Sequence, residues 1–335
     1  MSRRRLSLSS VGEFAEIARL SASLGSTRFS PHVIRSIGDD AAVLRPPRNH
    51  DLLFTTDALI ESVHFDRRWD MPADIGWKAL AANLSDIAAM HGAPLAAVIT
   101  LGLPRRTPVR WIDDLYAGLR RASQKYNTPI VGGDTVRSPR DIMISIALLG
   151  SVPKGQAIYR DGAQPGDTLF VTGTLGSCAA ALHAVSGRPT PAALAPPLFR
   201  KHRRPVPRFD IIEALHAKRV RATSMIDVSD GLVSDAGHLC EESHVAIEVD
   251  SRALPIAPAL RRYAAQTHCD VTTWALHSGE EYELIFTCPA RDAKRVQSIK
   301  GVTCIGRVAR GRGVYDIASG RRVVLTPAGF KHFGA

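Results

Sequence analysis

Residues Pro72–Gly92 read PADIGWKALAANLSDIAAMHG, and the rest of the chain is best understood outward from this stretch. Ile75, Leu80, Leu84 and Ile87 recur at spacings of three to five, which predicts an amphipathic helix. Pro72 suits the first turn, where a missing N–H costs nothing, and Gly92 suits a left-handed cap at the far end. Asn83 and Asp86 are one turn apart, so the helix presents both polar groups from one side. Ala79, Ala81, Ala82, Ala88 and Ala89 surround them, and such small side chains let a neighbouring sheet come close. A solitary Asp on a helix is ordinarily a solvated one. Asp86 gains weight from the carboxylates that other segments deliver.

A chain of 335 residues is long for one hydrophobic core and comfortable for two domains. No apolar run approaches the ~20 residues of a membrane helix, so no membrane partner is expected. Cys178, Cys240, Cys269, Cys288 and Cys304 are scattered without a CxxC pair, which argues for reduced thiols in a cytoplasm and against a zinc site or disulfide frame. The formal charge of +11 admits a nucleic-acid partner or an anionic substrate. Arg and Lys are spread along the chain without a long block, so no nucleic-acid partner is expected. The opening MSRRRLSLSS resembles a twin-arginine signal, but Glu13 and Glu16 break up the segment after it, which such a signal needs apolar. It is read as a flexible, uncleaved tail over residues 1–11.

Strands and helices alternate along the whole chain. Helices are expected at Val11–Leu24 and Trp111–Tyr126, besides the Asp86 helix. Strands are expected at Leu52–Thr55, Ala96–Leu103, Pro129–Val131 and Ile142–Leu149, and again at Thr168–Thr172, Thr223–Ile226, Ala246–Val249, Leu284–Thr287, Thr303–Val308 and Val323–Leu325. Gly155, Gly162, Pro165 and Gly166 mark the best boundary, separating an N-terminal domain over 12–153 from a C-terminal domain over 154–335. The fold class is therefore α/β (or α+β), with two sheets in two domains. The proline-rich, basic stretch Arg188–Arg208 is expected to be irregular or built of short helices.

One pattern recurs three times: a short apolar strand that ends in aspartate. LLFTTD delivers Asp57, PIVGGD delivers Asp134, and SMIDVSD delivers Asp227 and Asp230. Loops at strand ends are where α/β proteins place ligands. With Asp39, Asp40 and Asp86 these form a candidate acidic cluster in an otherwise basic protein. Gathered carboxylates repel unless cations sit between them, and oxygen-only ligands favour Mg²⁺ over zinc. Mg²⁺ held in this way bridges to phosphate oxygens, which makes a nucleotide the natural guest. Taken singly, each Asp is as well explained as a turn or helix cap, Asp230 before Gly231 in particular, and Gly132-Gly133 as a tight turn. The joint occurrence, with Thr55, Thr56 and Ser229 alongside, favours the site. No GxxxxGK[ST] and no HRD-type loop occurs, which excludes the P-loop and protein-kinase patterns. Gly173–Ser177 after a strand is either an anion cradle at a helix start or a place of close packing.

IGDDAAVL, FTTDALIESVHF, DIGWKALAANLSDIAAM, IVGGDT, IDVSDGL and SGEEYEL occur in an order and spacing that resembles the thiamine-monophosphate kinase family. That family belongs to the superfamily of aminoimidazole ribonucleotide synthetase. The resemblance runs from Gly12 to Phe333. It implies a two-domain chain whose N-terminal sheets pair across a homodimer, with ATP in the cleft of that assembly. It implies transfer of the ATP γ-phosphoryl to thiamine monophosphate, giving thiamine diphosphate. By motif position Asp40, Thr55, Thr56, Asp57, Asp86, Asp134, Asp227 and Asp230 resemble the Mg²⁺ ligands, several ions being held per site, and Asp57, Asp86, Asp134 and Asp227 the catalytic core. Gly133, Asp134, Arg160 and Ser229 resemble ATP contacts, with Tyr116 near the adenine. His64, Glu280 and Phe330 resemble contacts to thiamine monophosphate. Surface charge for Arg160, an edge-strand role for His64 and core packing for Phe330 are the plainer alternatives.

Two departures from the family pattern stand out. His91 occupies a position that is usually glycine, and Ser278 and Glu281 replace the Gly and Asp of a usual GGED. The rival readings are another ATP-using member of the superfamily, activating an amide, selenide or carbamoyl oxygen, and a basic nucleic-acid-binding protein. The TTDALIESVHF and EEYEL segments oppose the first, and the scattered charge opposes the second.

Overall fold

The computed structural model describes residues 30–37, 40–186 and 195–328. The expected helix Val11–Leu24, Asp39 and Phe330 lie outside the described residues. The chain separates into two compact units, one of Met1–Ile87 with Gly92–Gln156, the other of Ala88–His91 with Ala157–Ala335.

The first unit holds β1 (Val33–Arg35), β2 (Val43–Leu44), β3 (His50–Ile60), α1 (Pro72–Ala89, whose last two residues fall in the second unit), β4 (Ala93–Pro104), α2 (Val109–Lys125), β5 (Ile130–Ser138) and β6 (Met143–Pro153). Its main sheet runs β3-β6-β4-β5. Only β4 and β5 pair in parallel, as a strand–helix–strand connection through α2 requires. The second unit holds β7 (Thr168–Thr172), α3 (Ser177–Val185), α4 (Ala195–Arg203), α5 (Phe209–Ala217), β8 (Ser224–Asp227), α6 (Leu232–Ser243), β9 (Ala246–Val249), α7 (Pro258–Thr267), α8 (Val271–His277), β10 (Leu284–Cys288), α9 (Ala293–Gln297), β11 (Val302–Ala309), β12 (Gly313–Asp316) and β13 (Val323–Val324). Its sheet runs β13-β12-β9-β11-β7-β10-β8. Alternation along its strands feeds two cores. Leu169, Val171, Ile226 and Ile285 point into one, and Phe170, Met225, Leu284 and Phe286 into the other. A sheet covered on both faces is why these strands read as unbroken apolar runs.

Helix α1 differs from the amphipathic expectation. Ile75, Leu80, Leu84 and Ile87 are buried, but so are Ala79, Ala81, Ala82, Asn83, Ser85 and Lys78, so the helix is enclosed almost all round. Polar groups so enclosed need partners. Lys78 Nζ donates to the His64 carbonyl at 2.9 Å, and Asn83 Nδ2 donates to the Ala79 carbonyl at 3.1 Å. The cap also differs: His91 takes the left-handed conformation (φ 63°), at the position the family usually gives to glycine. Gly92 is required for space instead, because a Cβ there would sit 2.3 Å from Leu53 Cδ1.

Small residues bring α1 against α2 backbone to backbone. A Cβ on Gly76 would lie 2.1 Å from the Leu115 carbonyl oxygen, and one on Gly118 1.9 Å from that of Ala73. Gly118→Ala is therefore expected to destabilise the protein by ~1–3 kcal/mol through overpacking. In an open helix the same change would stabilise by about 1 kcal/mol. Urea denaturation reads the sign, and a stabilised variant would refute the contact.

Two expected strand ends move. Asp57 stands inside an eleven-residue strand rather than at its end, and β5 runs straight through Gly132-Gly133-Asp134 without a turn. Thr55, Thr56 and Asp57 carry strand pairing to Leu148, Ala147 and Ile146, which extends β3 past its apolar half. Asp227, the last residue of β8, does end its strand as expected.

Candidate active site

Edge strand β3 and helix α1 build the first group. Alternation along β3 sends Thr55 and Asp57 to the face that α1 covers. Thr55 Oγ1 donates to Asp86 Oδ2 at 2.5 Å, and the backbone N–H of Asp57 donates to Asn83 Oδ1 at 3.1 Å. The helical turn from Asn83 to Asp86 thus grips two alternate residues of one strand. Burial, then the nearby Asp86 carboxylate, push the Asp57 carboxyl up to about 7. Two acids held in this proximity, with a hydroxyl beside them, are a set that a hard cation would relieve. All donors are oxygens, so the group fits Mg²⁺ rather than a thiophilic metal.

Other expected ligands occupy the opposite face of the same sheet. Thr56 alternates away from Thr55, and Asp134 pairs with Thr100 in a row of that opposite face. Asp40, Gly132 and Gly133 line an open groove of about 740 Å³ there, together with Phe54 and Val98. Gly133 has a packing reason to lack a side chain, since a Cβ would lie 2.2 Å from the Ile99 carbonyl oxygen. Tyr116 packs on the buried side of α2, 8% exposed. His64 accepts the Ile60 N–H on Nδ1 at 3.0 Å, which fixes its ring against β3.

The second unit gathers Asp227, Ser229 and Asp230 on the β8–α6 connection. The residue that shapes this loop is one that spacing alone does not single out. Asp235 Oδ2 accepts the backbone N–H groups of Ser229, Asp230 and Gly231, each at 3.1 Å. Asp230 does not cap α6; Asp235 closes the turn from within it. Burial, then the Asp230 carboxylate, push Asp235 up to about 7, against the lowering effect of the three N–H groups. Asp230, Asp235 and His238 bring ligand atoms within 4.8 Å of one another. The available signal was an acid four residues beyond Gly231, at the start of a helical pattern. Arg160 is an exposed residue whose carbonyl accepts the Ser224 and Ser243 hydroxyls at 3.1 and 2.7 Å.

The segment Ser278–Glu283 clasps that loop. Glu280 N–H donates to the Ser229 carbonyl at 2.7 Å and Tyr282 N–H to that of Val228 at 2.8 Å. Glu280 and Tyr282 both take positive φ, 56° and 50°, a strained backbone that its surroundings must hold. Ser278 and Glu281, the departures from the usual GGED, act on this clasp. Glu281 Oε1 accepts the N–H groups of Gly176 and Cys178 at 2.9 and 3.1 Å, and Ser278 Oγ accepts that of Ala179 at 2.9 Å. The Gly173–Ser177 turn is therefore an anion cradle already filled by the chain's own carboxylate. Lys201 Nζ lies between Glu281 Oε2 at 2.8 Å and Glu283 Oε1 at 2.9 Å, and Arg208 holds the other oxygen of Glu283 at 2.7 Å. Burial would raise Glu283, but Lys201 and Arg208 hold it below the usual carboxylate range. Lys201 and Arg208 come from the proline-rich stretch expected to be irregular or built of short helices, and α4 is such a short helix.

This arrangement defines a class. The family models for the N-terminal and C-terminal domains of AIR synthase related proteins match residues 38–152 and 164–316. The thiamine-monophosphate kinase of Aquifex aeolicus (strain VF5) is 38% identical over 329 residues, covering 97% of this chain and 99% of its own length. The crystal structure of thiamine-monophosphate kinase from Stenotrophomonas maltophilia K279a superposes with a TM-score of 0.81 at 37% identity, over 91% of this chain and 96% of that one. The complex of AaThiL with AMPPCP and TMP superposes with a TM-score of 0.78 at 36% identity, over 99% of this chain and all of that one. The chain belongs to the thiamine-monophosphate kinase family.

Proposed function

We propose that this chain transfers the γ-phosphoryl group of ATP to the phosphate of thiamine monophosphate, releasing ADP and thiamine diphosphate. The observation that carries this reading is the Thr55–Asp57–Asp86 group, an all-oxygen set held on a helix and a strand rather than on loops. Full-length similarity to thiamine-monophosphate kinases supports the substrate pair. Asp57, Asp86 and Thr55 would hold Mg²⁺ on one face of the first unit's sheet. Asp40, Thr56 and Asp134 would offer a second oxygen set on its other face, and Asp227 and Asp230 a third in the second unit. The metal, when bound, would neutralise charge on the phosphates and hold them for in-line attack.

The protein's own part is positioning. Asn83 fixes the backbone of Asp57, Asp235 fixes the Ser229–Gly231 turn, and Glu281 and Ser278 fix the segment that carries Glu280. The acceptor is an anionic phosphate oxygen, so no strong general base is needed. The test is to supply ATP, Mg²⁺ and thiamine monophosphate and follow both products. Thiamine diphosphate and ADP are expected in equal amounts, and EDTA is expected to stop both. ADP without thiamine diphosphate would sink the assignment.

The outer face of the β3-β6-β4-β5 sheet exposes Leu52 (55%), Phe54 (73%), Val98 (40%) and Val136 (44%). That much open apolar sheet favours a homodimer through the first unit. Light scattering at micromolar concentration is expected to give twice the chain mass, and Phe54→Glu to give one. A monomeric parent would end the dimer proposal. A cytoplasmic setting would supply ATP and keep the free cysteines reduced.

A further inference from the structure

The first and last turns around β8 and β10 carry a cluster that the phosphoryl-transfer reading does not use. Antiparallel pairing sets Ser224 opposite Thr287, and Thr223 N–H donates to the Thr287 carbonyl at 2.8 Å. The segment entering β8 and the segment leaving β10 must therefore run side by side at the sheet edge. The first carries Arg219 and Arg221, two residues apart. The second carries Arg291 and Arg295, four apart on consecutive helical turns and so on one side. These four arginines line an open groove of about 540 Å³. Gly162 forms part of the wall with bare backbone, since a Cβ there would lie 1.9 Å from the Thr223 carbonyl oxygen.

The charges in the groove do not balance. Asp292 is the acid lining it, and it is 8% exposed and already engaged by Arg295. Arg295 also donates to the Lys218 carbonyl at 3.2 Å, and Arg221 to that of Ala157 at 3.4 Å. Arg219 and Arg291 have no acidic partner among the described residues. Four guanidinium groups against one carboxylate leave a strong local excess of positive charge. Guanidinium groups present planar pairs of donors that match phosphate oxygens. The groove's volume is that of a small-ligand pocket, not an extended track.

We propose that this groove is an anion site, separate from the aspartate groups, that binds the di- or triphosphate moiety of a small molecule. Its cations are the protein's own side chains, so binding needs no metal. That property separates it experimentally from the proposed kinase site. A nucleotide and a thiamine diphosphate share the chemistry, and inorganic tripolyphosphate represents it without either organic part.

The experiment titrates the full chain with tripolyphosphate in EDTA at low salt, by calorimetry. One saturable site per chain is expected, weakened by added salt. Arg219→Glu with Arg291→Glu should weaken it at least ~10-fold. Asp57→Asn should leave it unchanged. Turnover of thiamine monophosphate at saturating ATP should be unchanged in the arginine pair, which lies outside the proposed kinase machinery. Parallel titrations with ADP and with thiamine diphosphate identify the carrier as the one whose binding shows the same arginine dependence. Should charge reversal impair folding, Arg219→Gln with Arg291→Gln replaces it, and a loss of affinity is again expected. Absence of saturable binding, equal binding by the arginine variants, or binding lost in Asp57→Asn would overturn the proposal. So would an oligonucleotide that binds the groove more tightly than tripolyphosphate, since that marks a nucleic-acid surface.

Discussion

Asp57→Asn and Asp86→Asn are each expected to lower turnover by at least ~100-fold, with the fold retained. The substitutions keep shape and remove one charge, so the effect reports the loss of a ligand oxygen and not of packing. Both acids lie on regular elements, and Thr55 and Asn83 hold them from the other element. Neither variant should unfold the chain. Burial and Asp86 raise Asp57 to about 7, which means that charging this acid in the native state is unfavourable. The sign comes from linkage. Between the unfolded carboxylate value near 4 and about 7, the native state binds more protons, so this group's contribution to stability falls as pH rises. Asp57→Asn removes that penalty. The metal-free variant should therefore melt at or above the parent at pH 8, with the difference shrinking towards pH 5. Near-parental turnover in either variant would remove that residue from the metal set.

Thiamine monophosphate is expected to be turned over, and unphosphorylated thiamine is expected to give almost no product. An acceptor that brings its own phosphate supplies both a nucleophilic oxygen and a group for the cations to hold. Thiamine offers only a hydroxyl, whose activation needs a general base correctly placed. His64, a histidine the family resemblance puts near the acceptor, is bound through Nδ1 to the Ile60 N–H and is not free on that side to take a proton. The acid-rich groups hold oxygen ligands rather than a base–nucleophile pair. Product analysis with each acceptor in turn, at equal ATP and Mg²⁺, reads the difference directly. Comparable thiamine diphosphate or thiamine monophosphate formation from free thiamine would break the argument from chemistry, whatever the family.

Much of the fold was legible because the signals are local. The helix at Pro72–Gly92, the strands Thr168–Thr172 and Ala246–Val249, and the juxtaposition of Asn83 and Asp86 all come from spacing within one element. What was not legible depends on a second element. The full burial of α1 requires α2 to approach through Gly118, forty-two residues from Gly76 in the same contact pattern. The extension of β3 through Thr56 and Asp57 depends on pairing with β6, ninety residues away, which no alternation in a six-residue window reveals. Asp235 reads as an ordinary helical acid until three N–H groups are seen to converge on it. The fates of Glu281 and Ser278 are the plainest case. As letters they are departures from a motif; in space both are caps on a helix that begins a hundred residues earlier.

The grip of α1 on β3 has a bearing on how the protein wears out. Asn83 occupies a backbone N–H on an edge strand, where another chain would otherwise add itself, and Asp86 one turn later fastens the next inward side chain. Heat cannot loosen the aspartates first and the scaffold afterwards, because the same two side chains serve both. Inactivation and loss of structure in that unit should then share a single temperature, and a preparation that still shows its native circular dichroism should still be active.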